Sequence, residues 1–222
     1  MNYLENDYAT FDMWMKYYLS ICERIDLIVA TNHAPDILKK VSKKLSVPAK
    51  NWRMHMLELR KMNLKDIKEQ WEYVTALPKD ENGLTNPYEG ITFEEYEAIV
   101  LPELMMHENP VDMPEWFVPG TYYYLWDDEV LVGEYRIRHY LTEALKIGAG
   151  HIGYSIKKEY RGRGYGTKGL AMVLDIAREI VPEDEIYLRV LKNNIPSFKA
   201  ISNNGAYIAG EDETHYLMRV IK

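Results

Sequence analysis

The sequence predicts an α/β (α+β) protein, in which a mixed central sheet of about six to seven strands is flanked by helices. Three segments support this fold class. A strand, a glycine-rich turn and an amphipathic helix occupy 151–181, a second strand and helix follow at 185–205, and two strands joined by a tight hairpin precede them at 121–138. The 47% apolar content is that of an ordinary globular protein, so a buried core can hold these elements together.

Composition narrows the class of protein. A single cysteine, Cys22, excludes an internal disulfide framework and a cysteine-based zinc site, and we expect no bound metal. The sequence has no signal peptide and no run of about 18 apolar residues, so we expect a reducing, cytoplasmic location and no membrane contact. The net charge of −7 argues against a nucleic-acid binder, because binding to that polyanion depends on Lys and Arg.

Residues 1–50 differ in character from the rest and predict an N-terminal helical extension to a domain at 51–222. Apolar residues recur there at steps of three and four, as in an amphipathic helix. Because Trp14, Tyr18 and Ile25 need burial, we expect the extension to form a homodimer contact or to cover the site where the domain binds its substrate.

The first part of the domain predicts one strand followed by helices. Alternation predicts a strand at 54–59, and Asn63 is the expected cap of the next helix. Residues 78–90 are interpreted as loop. Thr92 and Glu95 form a capping box, which predicts a helix through about Met106.

Strands at 121–126 and 130–138 are joined by Asp127-Asp128-Glu129. Alternation places Glu134, Arg136 and Arg138 on one face of the second strand. A purely structural strand does not require so many ionisable side chains on one face, so Glu134 is a candidate functional residue. The last strands are predicted at about 206–210 and 214–220.

The glycine-rich turn predicts an anion site. Glycines at 162, 164 and 166 permit positive φ, so that successive backbone N–H groups can surround a phosphate at the start of a helix. A Walker loop is excluded, because Thr167 precedes Lys168 instead of following it. A G-x-G-x-x-G dinucleotide pattern is present at 164–169, but the next strand ends in Lys192 where an acidic residue is expected, so this interpretation stays only as an alternative.

Two segments resemble the GNAT superfamily of acyl-CoA-dependent N-acyltransferases. Residues 161–166 are similar to its Arg/Gln-x-x-Gly-x-Gly/Ala signature, and Asn194-x-x-Ser197 is similar to a second pattern that follows in the same order. The segment 150–154, Gly-His-Ile-Gly-Tyr, together with 161–165 resembles a bacterial group of predicted acetyltransferases whose acceptors are undefined. The resemblance covers about 54–222 and leaves the first fifty residues unexplained.

The resemblance implies a GNAT fold and acetyl-CoA as co-substrate. It implies transfer of the acetyl group to a primary amine of a small molecule or peptide, by direct attack in a ternary complex. The pantetheine arm is expected between two parallel strands, at 152–156 and 186–190, that splay apart. The residues that it implies for acetyl-CoA binding are Tyr154, Ser155, Ile156, Arg161, Gly162, Arg163, Gly164, Tyr165, Gly166, Thr167, Asn194 and Ser197.

An amine acceptor must lose a proton before it attacks, so a general base is expected, and Glu134 and His151 are the candidates. Many relatives carry a tyrosine acid four residues after Ser197, but Ile201 stands there. Tyr207 is the proposed substitute, with Tyr216 and Ser197 as alternatives. That departure keeps open a second function, a non-catalytic acyl-CoA-binding or regulatory module.

Overall fold

The structure, a computed structural model, describes residues 56–109 and 117–222, which belong to the unit His55–Lys222. The predicted helical extension at 1–50 and its role in dimer contact or site cover lie outside the described residues.

The described chain forms two antiparallel sheets, a short hairpin and the helices that pack on them. The strands are β1 (Leu57–Lys61), β2 (Asp80–Glu81), β3 (Leu84–Thr85), β4 (Gly120–Asp127), β5 (Val130–Arg138), β6 (Ile152–Ile156), β7 (Glu185–Leu191), β8 (Tyr207–Glu211) and β9 (His215–Ile221). The α-helices are α1 (Ile67–Ala76), α2 (Phe93–Glu95), α3 (Leu101–Met106), α4 (Glu143–Ile147), α5 (Tyr165–Ile180) and α6 (Ile195–Ser202).

The larger sheets have the strand orders β1-β4-β5-β6 and β7-β9-β8, so the seven strands match the predicted number. Every ladder among the described strands is antiparallel. The two sheets meet at an isolated bridge between Gly150 and Leu188, where the His151 N–H donates to the Tyr187 carbonyl at 2.7 Å. Strands β6 and β7 form no ladder beyond this bridge, which leaves a gap between them for a ligand.

Apolar side chains form one core on each face of the four-stranded sheet. One core lies between the sheets and α5, and contains Leu125, Tyr135, Leu170, Val173 and Ile186. The other core packs α1 and the 93–106 segment against the opposite face. Both faces of β5 are therefore covered by other parts of the protein. Its polar side chains, Glu134, Arg136 and Arg138, are partly buried as a result.

The helix predicted from Thr92 to about Met106 is confirmed, with both hydrogen bonds of the capping box present. A π-helical turn at Tyr96–Val100 separates α2 from α3. Pro102 follows this turn and has no N–H to donate, so the regular hydrogen-bond pattern cannot run through it.

Two local expectations differ from the structure. Residues 78–90 contain the hairpin β2–β3, because Asn82 and Gly83 both adopt the positive φ that a type I′ turn requires. Asn63 accepts hydrogen bonds from the Lys65 and Asp66 amides, so it stabilises a turn before α1 instead of capping the helix itself.

Candidate active site

A cleft of about 960 Å³ lies between the two larger sheets. The glycine-rich turn lines one part of it, and the face of β5 that carries Glu134 lines another. The β2–β3 hairpin and the start of α6 complete its walls. One continuous cleft thus contains both the predicted anion site and a predicted base.

The glycine-rich turn has the geometry that an anion site requires. Gly162 and Gly164 have φ values of 77° and 84°, and a Cβ atom built on either would meet no atom within 4 Å. Helix α5 starts directly after Gly164 and has no side-chain cap, so its first N–H groups are left for a ligand. The N-terminus of this 16-residue helix therefore fits a phosphate group, and a pyrophosphate fits there equally well.

The side chains of the turn have different roles. Arg161 donates from Nε to the Ile156 carbonyl at 2.9 Å, and its guanidinium forms a two-pronged ion pair with Glu81 at 2.9 and 2.5 Å. It anchors the turn to β6 and to the β2–β3 hairpin. The Arg163 guanidinium lies 5.3 Å from the Tyr160 ring centroid, and the residue does not line the cleft.

Tyr165 donates from its hydroxyl to Asp127, which ties the first residue of α5 to the end of β4. Gly166 and Thr167 line the cleft beside it. The predicted acetyl-CoA-binding residues of the turn are 161–167, all of them described by the structure. Each of these lines the cleft except Arg163.

Strand β6 directs alternate amides towards β5 and towards the gap. Lys157 donates its N–H to the Val132 carbonyl of β5 at 2.9 Å. In an antiparallel ladder the direction alternates, so the Ser155 amide also points to β5, whereas the amides of Tyr154 and Ile156 point towards the gap. These two N–H groups are thus placed to donate to a ligand that lies between the sheets.

The second predicted pattern forms the wall opposite β6. Asn194 caps α6 by accepting a hydrogen bond from the Ser197 amide at 3.2 Å. The Ser197 hydroxyl lies 2.8 Å from the Tyr154 hydroxyl, and all three residues line the cleft. Ile201, which stands where relatives carry tyrosine, is buried in the core.

Glu134 lies half-buried in the cleft, opposite Tyr124 of β4 and Ser155 of β6. Beside it, the Tyr73 hydroxyl contacts the Ser155 hydroxyl at 2.8 Å and donates to the Ser155 carbonyl at 2.9 Å. Burial raises the pKa of the Glu134 carboxyl to about 7, and nearby Arg136 opposes the shift. A carboxyl with this pKa can accept a proton near neutral pH.

His151 lies away from the cleft surface. It is fully buried: Nδ1 accepts from the Tyr187 N–H at 2.9 Å, and Nε2 lies 3.2 Å from Glu183 Oε2. Burial lowers its pKa, although Glu183 opposes the shift. Both ring nitrogens are engaged, so this geometry favours a structural role at the junction of the sheets over a role as the base.

Tyr207 also lies away from the cleft. The residue is 45% exposed on β8, and its hydroxyl donates to Glu185 at 2.5 Å. The residue does not line the cleft. Because the Tyr207 hydroxyl binds Glu185 outside the cleft, the structure does not support Tyr207 as the acid that protonates the leaving group.

Sequence reasoning missed Tyr73 and Glu81. Tyr73 lies on a helix whose apolar periodicity is typical of a core-facing helix. Its contact with Ser155, 82 residues away, cannot be predicted from the neighbouring sequence. Glu81 precedes Asn82-Gly83, a dipeptide typical of tight hairpins, which does indicate that a hairpin rather than an open loop carries it.

The sequence matches the family profile described as Acetyltransferase (GNAT) domain over residues 57–207. The chain therefore belongs to the GNAT acetyltransferase family. It is an acyl-CoA-dependent N-acetyltransferase with acetyl-CoA as its co-substrate. This membership leaves the dinucleotide-binding interpretation without support. No curated protein matches the sequence significantly.

Solved structures with a similar fold are distant in sequence. They include the ribosomal-protein-S5-alanine acetyltransferase from Vibrio fischeri (18% identity, TM-score 0.56, 77% of this chain and 95% of that chain covered). They also include RimL, a ribosomal L7/L12 α-N-protein acetyltransferase in complex with coenzyme A (16%, 0.55, 76% and 95%). A third is a chimera of the Vibrio cholerae spermidine N-acetyltransferase SpeG and hSSAT (18%, 0.52, 74% and 95%). At these identities the likeness shows the fold.

Among residues 56–109 and 117–222, no group of three or more His, Cys, Asp or Glu side chains is arranged to hold a metal ion. None of the helices in the same ranges is both long enough and apolar enough to cross a bilayer.

Proposed function

We propose that this protein transfers the acetyl group of acetyl-CoA to a primary amine of a small molecule or peptide, by direct attack in a ternary complex. The observation that carries the proposal is the position of Glu134 in the same cleft as the glycine-rich turn. A single cleft with an anion site and a base can hold both substrates at once, which direct transfer requires.

The glycine-rich turn and α5 would hold the pyrophosphate, and the gap between β6 and β7 would hold the pantetheine arm. Acetyl-CoA supplies the thioester whose acyl group is transferred. The N–H groups of Tyr154 and Ile156 face the gap and would donate to the ligand there. A donor aimed at the thioester carbonyl also stabilises the negative charge that develops on this oxygen.

Glu134 would remove the proton from the attacking amine, directly or through one water. A lysine-like amine has a reference pKa of about 10.4, so at neutral pH most of it is protonated and cannot attack. Burial raises the pKa of Glu134 to about 7, which keeps part of the carboxyl ionised while making it a stronger base than an exposed glutamate.

The departing thiolate would receive a proton from Tyr154. Its hydroxyl lies 2.8 Å from the Ser197 hydroxyl, within the cleft and at the start of α6. This is the helix on which relatives carry the tyrosine that Ile201 replaces here, one turn further along. Tyr154 therefore supplies the same chemical group from the neighbouring strand.

Both kinds of amine acceptor remain in the proposal. The names of two structural neighbours specify a ribosomal protein and spermidine as acceptors, so this fold serves peptide and small-molecule amines. The choice between them depends on the acceptor end of the cleft.

The test is thiol release from acetyl-CoA in the presence of a panel of primary amines, with mass spectrometry of the products. The proposal predicts amine-dependent release of CoA and an acetylated amine. Tight binding of acetyl-CoA with thiol release no faster than hydrolysis for every amine would instead indicate the non-catalytic acyl-CoA-binding module.

A further inference from the structure

We propose that Arg136 and Arg138 form an oxyanion-binding subsite in the cleft, so that the acceptor is a primary amine that also carries a carboxylate or phosphate group a few bonds from its nitrogen. This inference rests on the proposed acetyl transfer and adds the acceptor's chemical class.

The two arginines lie on the same face of β5 as Glu134, at steps of two residues. Residues two apart in a strand are separated by roughly 7 Å along it. All three residues line the cleft. An amine positioned at Glu134 would therefore place a group a few bonds away within reach of the Arg136 guanidinium.

Arg136 forms no ion pair within 4 Å with a described residue, although its charge opposes the raised pKa of Glu134 on the same face of β5. Its Nε is buried and has no hydrogen-bond partner in the described part of the chain, and its guanidinium lies 5.3 Å from the Tyr122 ring centroid. A buried polar atom that lacks a hydrogen-bond partner destabilises a fold. Because Arg136 lines the cleft, an anionic ligand there can pair with its guanidinium, which binds carboxylate and phosphate through two parallel hydrogen bonds.

Arg138 adds a second positive charge beside it. One of its nitrogens donates to the Gly150 carbonyl at 3.1 Å. Burial and the neighbouring Arg136 charge lower the pKa of Arg138 to about 10, so the guanidinium remains charged at neutral pH. An anion that contacts both side chains would relieve the repulsion between them.

His107 lies on the same part of the cleft wall, and its buried Nδ1 likewise lacks a hydrogen-bond partner among the described residues. Its ring stands 6.1 Å from that of Tyr122, next to Arg136. A second buried polar atom without a hydrogen-bond partner thus lies beside the contact between Tyr122 and Arg136.

The charge of this subsite is opposite to that of the whole chain. The net charge is −7, yet the face of β5 in the cleft carries two arginines and one glutamate with a raised pKa. A polyamine would bring further positive charges close to both guanidinium groups, which costs free energy at this separation. The local charge therefore favours an anionic acceptor over a polycationic one.

The experiment compares acceptors in matched pairs that differ by the anionic group. Phenylalanine is paired with 2-phenylethylamine, phosphoethanolamine with ethanolamine, and spermidine is the cationic reference. The inference predicts that, in at least one pair, kcat/KM for the member with the carboxylate or phosphate exceeds that of the member without it by about 10- to 100-fold, the range of a charged hydrogen-bonded contact. The first pair tests carboxylate and the second tests phosphate.

Variants then assign the effect to the arginines. Arg136→Gln is expected to remove the advantage of the acceptor with the anionic group, mainly through KM. Because Arg136 also opposes the raised pKa of Glu134, the readout is the ratio of kcat/KM between the two members of a pair, which a general change in rate does not alter. Arg136→Lys is expected to restore part of the advantage, because it retains the charge. Arg178→Gln is the control, since Arg178 pairs with Asp175 on α5 and does not line the cleft.

Stability provides a second measurement. If the arginine is retained for a ligand, Arg136→Gln leaves the unfolding midpoint unchanged or raises it. A lower midpoint with no change in the selectivity between paired acceptors would assign Arg136 a structural role and overturn the inference.

The remaining outcomes separate this inference from the proposed function. Faster turnover of spermidine or of the amines without an anionic group, with a preference that Arg136→Gln does not change, overturns the subsite and leaves acetyl transfer in place. If no amine is acetylated, the proposed acetyl transfer is overturned. The subsite then stands only if phenylalanine or phosphoethanolamine raises the unfolding midpoint of wild type but not that of Arg136→Gln; otherwise the subsite is overturned too.

Discussion

Gly169 of α5 lies directly against Tyr135 of β5: a Cβ atom built on Gly169 would come within 2.2 Å of the Tyr135 hydroxyl oxygen. That hydroxyl also donates to the carbonyl of Tyr165 at 3.3 Å, in the first turn of the helix. The last glycine of the G-x-G-x-x-G pattern thus permits close packing of helix and sheet, and this packing sets the position of the glycine-rich turn.

Gly169→Ala is expected to lower the free energy of unfolding by about 1–3 kcal/mol through overpacking. Alanine would otherwise favour the helix by about 1 kcal/mol over glycine. Urea unfolding measures the change, with Gly153→Ala as the control, because a Cβ there meets no atom within 4 Å. A stabilised Gly169→Ala protein would contradict this packing.

Gly164→Glu is expected to abolish the rise in unfolding midpoint that acetyl-CoA causes in wild type, because it puts a side chain and a negative charge at the anion site. Gly205→Glu is a matched control: its φ of 82° is close to the 84° of Gly164, neither Cβ meets an atom, and Gly205 does not line the cleft. Equal loss of the ligand-induced shift in both variants would mean that backbone strain, not ligand contact, is responsible.

His151→Leu is expected to lower the free energy of unfolding by about 1–3 kcal/mol at pH 7.5, because the Tyr187 N–H loses its acceptor. Burial lowers the folded-state pKa of His151 below the unfolded value of about 6.5. Its stabilisation is therefore present above about pH 6.5 and is lost as the pH falls through the folded pKa. Unfolding from pH 8 to 5 should show a shrinking difference between the two proteins; a difference independent of pH would exclude this linkage.

Tyr154→Phe is expected to lower kcat by about 10²-fold, the lower end of the usual effect of a general acid, with little change in the KM for acetyl-CoA. Tyr207→Phe is the control, because the Tyr207 hydroxyl binds Glu185 outside the cleft. Steady-state thiol release measures both. An unchanged kcat in Tyr154→Phe would show that the thiolate leaves without a proton from this residue.

Local sequence signals predicted most of the fold. The strand, glycine-rich turn and helix at 151–181, the Thr92–Glu95 capping box and the 121–138 hairpin all depend on neighbouring residues, whose preferences can be inferred without tertiary contacts. Alternation also placed Glu134 and Arg136 on one face of β5, as the register shows.

Contacts between residues far apart in the chain could not be predicted from the sequence. His151 has the residue type of a base, but only the fold shows that Glu183 and the Tyr187 amide occupy its two nitrogens. Likewise the Arg161 guanidinium, expected at the cofactor, pairs with Glu81 from 80 residues earlier. Burial and partner choice at such positions depend on tertiary packing, which residue spacing does not encode.

The pH dependence of kcat/KM in wild type and in Glu134→Gln tests most directly whether Glu134 is the general base. Glutamine retains the size of the side chain and removes its basicity. Wild type is expected to lose activity below an apparent pKa of about 7, as Glu134 becomes protonated. The variant is expected to lose about 10²-fold or more in kcat/KM and to lack this transition. A variant that keeps both the rate and the transition near pH 7 would contradict the assignment of Glu134 as the base.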